Sequence, residues 1–162
     1  MSQPHEKQHA LDVLARIVDA SVPHSLLCCG ARAQRIAERW AGLNPDVNLQ
    51  TFEPQDAQAR IASLPAADLA LVSDTLEHIE RAHGAHVLGL LRNYGSHRIA
   101  VVVPAHGDWQ FNDFIAMGFR LHAELADEMV LYTYNLASYN HKRDWNNPRN
   151  WGNPEMWDKA RW

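Results

Sequence analysis

Between Asp68 and Pro104 the chain reads DLALVSD, then TLEHIERAHGAHVLGLLRNYG, then SHRIAVVVP. Two apolar runs bounded by turn residues flank a segment whose Leu and His recur at helical spacing, which predicts strand, helix, strand. Strands joined in this way are parallel, because a parallel pair needs a crossover and a helix usually supplies it. In an open parallel sheet the ligand crevice lies beyond the carboxyl ends of the strands. Here that places it around Ser73, Asp74, Pro104 and Ala105.

The same patterning continues on both sides. Leu11, Leu14, Ile17 and Val18 predict an amphipathic helix over about residues 5–20. His24–Cys29 is a short apolar run closed by Gly30, a strand and its turn. Ala31–Trp40 reads as a helix closed by Gly42 and Asn44-Pro45. Val47–Phe52 alternates as a strand and stops at Glu53-Pro54, and Gln55–Ser63 is a short helix. Trp109–Met117 is a helix terminated by Gly118. Phe119–Leu125 and Glu128–Ala137, joined by Ala126-Asp127, predict an antiparallel hairpin at the sheet edge. The expected body is one α/β domain over residues 1–139, a mainly parallel sheet finished by that hairpin.

Composition narrows the class. A chain of 162 residues buries ~70% of the surface it exposes when unfolded. A net charge of −4 gives no bulk attraction to nucleic acid or to an anionic membrane. No apolar run approaches the ~20 residues that span a bilayer. The opening MSQPHEKQHALDVL lacks a charged-then-apolar leader, and the two cysteines, Cys28 and Cys29, are adjacent and form no disulfide framework. These features predict a cytoplasmic protein.

Charge is unevenly spread. Residues 1–139 carry 10 Lys and Arg against 16 Asp and Glu, whereas residues 140–162 carry 5 against 3 and four of the six tryptophans. That second stretch repeats Trp145-Asn-Asn-Pro and Trp151-Gly-Asn-Pro before Trp157, a six-residue period that aligns tryptophans along an extended chain of three residues per turn. It reads as a Trp-rich wrapping tail, not an independent domain. Its aromatics are expected to pack on the acidic body or on a second copy, making a homodimer. Stacking on single-stranded nucleic acid, beside Arg143, Arg149 and Arg161, is opposed by the acidic body.

The segment DLALVSDTLEHI, the fifth strand ending at Pro104, the helix ending MGF and the closing hairpin resemble class I S-adenosylmethionine-dependent methyltransferases over about residues 10 to 139. The resemblance implies a Rossmann-like three-layer sandwich. It also implies S-adenosylmethionine as cofactor, with Gly30 and Glu53 among the residues that hold it. The sequence departs from that pattern in three places. The turn after the first strand keeps Gly30 but has Arg32 at the second glycine position, where its side chain would occupy the space of the methionine moiety. Only 14 residues separate Glu53 from Asp68, enough for a helix but not for a helix and a strand, so the family's third strand is missing. The crevice also lacks a clear catalytic set; His106 with Asp74 is the best acid–base pair available.

Each candidate has a plainer reading. Asp74 or Thr75 could cap the following helix. Glu53 could be a solvated charge at a strand end. Arg32 beside a helix N-terminus could bind a small anion, and that helix start could lower the pKa of a neighbouring cysteine. Glu80, His83 and His86 share a helical face, yet no metal motif accompanies them. Cofactor-crevice candidates are therefore Gly30, Arg32, Glu53 and Ser73; catalytic candidates are Asp74 and His106; no metal site is expected. Two functions stay open. One is a divergent, short bacterial branch of the methyltransferase fold without methyl transfer, which binds a partner, a second copy of itself or a small anion in the old crevice. The other is an active small-molecule methyltransferase.

Overall fold

The computed structural model describes residues 7–135. The tail read from the sequence, residues 140–162, lies outside the described residues. Helices are α1 (Ala10–Ser21), α2 (Ala31–Leu43), α3 (Ala57–Ser63), α4 (Arg81–Leu90) and α5 (Phe111–Ala116). Strands are β1 (Ser25–Cys29), β2 (Asn48–Thr51), β3 (Leu69–Val72), β4 (Arg98–Pro104), β5 (Arg120–Leu125) and β6 (Met129–Asn135). They form one six-stranded sheet in the order β2-β1-β3-β4-β6-β5. The first four are parallel, and β6 runs antiparallel between β4 and β5. This is the expected α/β architecture with its closing hairpin.

Strands β1, β3 and β4 of the parallel part are buried on both faces, which is why β3 and β4 are unbroken apolar runs. On one face α1 and α2 pack Leu14, Val18, Ala33 and Trp40 against Leu26, Leu71 and Val102. On the other, α3, α4 and α5 enclose Ile61, Leu88, Val101 and Phe114. Cys28 belongs to the first cluster and Cys29 to the second, as alternation along a strand requires. The second cluster is centred on Phe114, fully buried and stacked on Tyr132 at 4.0 Å, with Trp109 and Phe119 at 5.4 and 5.8 Å.

Between Glu53 and Asp68 the chain makes a 3₁₀ turn (Pro54–Asp56) and α3, and no strand. Strand β2 is therefore the sheet's edge. Asn48 and Phe52 direct their N–H groups inward, to the carbonyls of His24 and Cys28. The intervening Thr51 faces outward, and Arg60 of α3 donates to its carbonyl from Nε (3.2 Å) and Nη2 (2.8 Å). A guanidinium thus occupies hydrogen-bonding capacity that a further strand would otherwise use.

The helix expected to follow β3 without interruption is broken. Leu76–His78 form a 3₁₀ turn, Ile79 is extended (φ −127°, ψ 164°), and α4 starts only at Arg81. The reset seats buried Leu76 and lets Gly84 pass beneath Trp109; a Cβ on Gly84 would lie 2.8 Å from the indole and 3.1 Å from Leu76. Helical periodicity in the sequence does not register such a break.

Replacing Phe114 by Ala removes the centre of the aromatic cluster. The expected loss is about 3–5 kcal/mol, a large fraction of a typical domain's stability, read as a lowered urea midpoint with an unchanged slope.

Candidate functional site

Strand β1 connects through α2 to β2 on one side of the sheet, while β3 connects through α4 to β4 on the other. The strand order therefore reverses between β1 and β3, and a crevice opens at their carboxyl ends. The two ends are in register, Cys29 opposite Val72, and Ser73 donates its N–H to the carbonyl of Cys29 at 2.9 Å. Gly30 follows β1 with φ +102° and lies so close to the next strand that a Cβ would sit 1.5 Å from the Ser73 carbonyl oxygen. Only glycine fits there.

Gly30 is also the N-cap of α2 and has no side chain with which to cap it. The cap comes from β3 instead. Ser73, fully buried, accepts the N–H of Ala33 on its Oγ at 2.8 Å. Asp74 accepts the N–H of Arg32 on Oδ2 at 3.0 Å, and its Oδ1 pairs with Nη1 of the same arginine. A carboxylate at a helix N-terminus gains from both hydrogen bonds and the helix dipole. Asp74 reaches this position with φ +50°, a left-handed conformation that Asp tolerates better than most residues.

This arrangement revises several expectations. Asp74 caps α2, not the helix that follows it in sequence. Thr75 does not cap that helix either: its hydroxyl donates to the Ser73 carbonyl at 2.6 Å. Asp74 and His106 are not paired. His106 is exposed, with Nε2 3.2 Å from Glu128, because Glu128 directly precedes β6 and its carbonyl accepts the N–H of Ala105 beyond the end of β4. Arg32 does not present an open anion site, since its guanidinium and its N–H both already meet a carboxylate.

The cysteines are likewise not activated. Burial pushes the Cys28 thiol up to about 12. Burial also pushes Cys29 up to about 11, against the opposing effect of its contact with Thr75 Oγ1 at 3.3 Å. The start of α2 does not overcome desolvation, so both thiols are neutral at ordinary pH. His83, read as part of a metal face, has Nε2 2.9 Å from the carbonyl of Pro54. Among the described residues no three His, Cys, Asp or Glu are grouped to hold a metal ion.

A cleft of about 410 Å³ remains beside the closed turn. Gly30, Gln34, Glu53, Asp74, Thr75 and His78 line it. The structure thus gathers Gly30, Glu53 and Asp74 around one space, sets Arg32 and Ser73 outside its lining, and leaves His106 elsewhere. Glu53 is exposed, and its N–H donates to Asp56 Oδ1 at 2.8 Å, which fixes the turn after β2. Gln34 was not among the sequence candidates; its place one turn beyond Gly30 on α2 is the signal that could have found it. The lining holds two carboxylates and neither Lys nor Arg.

No curated protein matches this sequence significantly. Solved structures do match by fold. A proposed O-methyltransferase from Nostoc punctiforme PCC 73102 aligns with TM-score 0.56 and 15% identity, over 76% of this chain and 54% of that one. The methyltransferase domain of a bacterial Hen1 aligns with TM-score 0.53 and 10% identity, over 80% and 98%. Human N-acetylserotonin methyltransferase, in complex with S-adenosylmethionine, aligns with TM-score 0.52 and 15% identity, over 77% and 51%. The chain thus spans about half the length of two of these proteins. The fold is that of class I methyltransferases. From residue 8 to residue 162 the sequence matches the model of a family of unknown function, DUF6231, and the chain belongs to that family.

Proposed function

We propose that this chain keeps the methyltransferase fold without methyl transfer and acts by binding a partner protein or a second copy of itself. The observation that carries this reading is the Asp74 carboxylate, which spans the crevice and holds both the N–H and the guanidinium of Arg32. A carboxylate with both oxygens so engaged is a helix cap, not a free general base. His78, which lines the cleft, meets a carboxylate only at Glu77, at 4.0 Å, beyond hydrogen-bond distance, and the neutral cysteines offer no nucleophile. A small anion is a poor fit, because Asp74 is already paired with Arg32 and Glu53 lines the cleft with neither Lys nor Arg in that lining to offset its charge.

One observation favours the second reading, an active small-molecule methyltransferase. An acidic cleft suits a cationic ligand, and S-adenosylmethionine, which would supply the methyl group, carries sulfonium and ammonium charges. Glu53 could accept hydrogen bonds from hydroxyls of such a ligand, and Gly30 allows close approach. Arg32 lies outside the cleft lining and its charge is met by Asp74, so it does not repel a cationic ligand there.

Titration separates the readings. Neither S-adenosylmethionine nor S-adenosylhomocysteine is expected to shift the melting temperature of the full chain. A ligand at 100 times its dissociation constant stabilises by ~2.7 kcal/mol, so a clear shift with either compound overturns the proposal.

The cap itself is measurable. Asp74→Asn keeps an acceptor for the Arg32 N–H and tolerates the left-handed backbone, but it loses the charge. It should cost about 1–2 kcal/mol in urea unfolding, and Asp74→Ala should cost more.

The buried thiols predict a pH dependence. Unfolded cysteines ionise near the reference value of 9.0, whereas the folded ones stay protonated to about 12 and 11. Their contribution is complete below pH 9 and falls as pH rises above it, since the unfolded state then binds fewer protons. Wild type should therefore lose more stability between pH 8 and 10.5 than Cys28→Ala, measured by urea midpoints.

A further inference from the structure

A second cavity, about 460 Å³, lies at the opposite end of the sheet from the cleft. It runs between the last turns of α1, at Ile17 and Ser21, and the first residues of β5, at Arg120 and Leu121. Leu69 and Arg98 contribute from the starts of β3 and β4, and Asn135 from the end of β6. Leu121 is 42% exposed on an edge strand, so the groove presents apolar surface next to two guanidiniums. Arg98 is held at one side by a long contact from Nη2 to the Ser21 carbonyl (3.5 Å). Apolar walls with arginines beside them suit an indole, which buries a large apolar face and accepts a cation over its ring.

We propose that this groove is the seat of the chain's own Trp-rich segment, residues 140–162, with one or more of its tryptophans inserted between Leu121 and Ile17. Three observations favour that occupant. Asn135, the last described residue, forms part of the groove wall, so the segment begins at the site. Trp145 follows ten residues later, a reach of ~30 Å in extended form, enough to turn back into the groove. So short a tether also makes the effective concentration of the segment about millimolar, above that of any free competitor. Finally, one family pattern runs from residue 8 through residue 162 and covers the sequences of body and segment together.

The test uses the full chain and two variants. Leu121→Lys places a charge in the groove at an exposed strand position. Ile115→Lys places the same charge on α5, equally exposed at 42% and on another surface. Far-UV circular dichroism checks that both fold. Limited trypsin digestion reads cleavage after Arg143 and Arg149, and iodide quenching reads tryptophan exposure. Leu121→Lys should speed that cleavage about tenfold, the factor given by ~1.4 kcal/mol of lost docking, and raise quenching. Ile115→Lys should leave both near wild type. The proposal fails if Leu121→Lys changes neither, or if Ile115→Lys changes them as much. It also fails if wild-type protection rises with protein concentration, which would assign the segment to a second copy.

Discussion

The structure depends on a helix capped from outside its own sequence. Gly30 gives α2 a turn that no other residue could make against the Ser73 backbone, and the same absence of a side chain leaves the helix N-terminus without a local cap. Ser73 and Asp74 supply it from the end of β3, 40 and 42 residues from the N–H groups they meet. Three hydrogen-bonding contacts converge where two parallel strands end, two of them charge-assisted through the Asp74 carboxylate. They fix the crossing of α2 over the sheet and the close approach of the two strand ends together.

The shortened segment between Glu53 and Asp68 acts on the other side of the same crevice. With no strand beyond β2, the sheet edge has to be protected in place, and Arg60 does so by binding Thr51. Strand β2 is only four residues long, a further protection against edge pairing. The wall that another strand and its loop would build beside Glu53 is absent among the described residues. Glu53 is accordingly exposed at the rim of the cleft instead of enclosed within it.

The order of elements could be read from the sequence because apolar periodicity and turn residues are local signals. The run LALV, the run IAVVVP and the hairpin required no knowledge of their neighbours. The break at Ile79 was not legible, since it answers to the packing of Gly84 under Trp109. The fate of Asp74 was equally hidden. Local rules offer it the helix that follows, while its actual partner is Arg32, a contact created by the pairing of β1 with β3. His106 was misplaced for the same reason: the antiparallel return of β6 brings Glu128 to it first. The cysteines were placed correctly on opposite faces, yet the balance between burial and the helix dipole required the depth of the strand.

Arg32 illustrates how one substitution changes the meaning of a crevice. Considered alone, an arginine at a helix start attracts anions. Beside Asp74 it becomes half of a cap, and its charge is spent within the fold. What remains open to solvent is acidic, because Glu53 has no such counterpart in the lining. At this end of the crevice the backbone N–H groups of α2 are therefore met by side chains of the neighbouring strand and not left open. The brace also ties the ends of β1 and β3 to one another, so the same contacts that cap the helix set the width of the crevice between them.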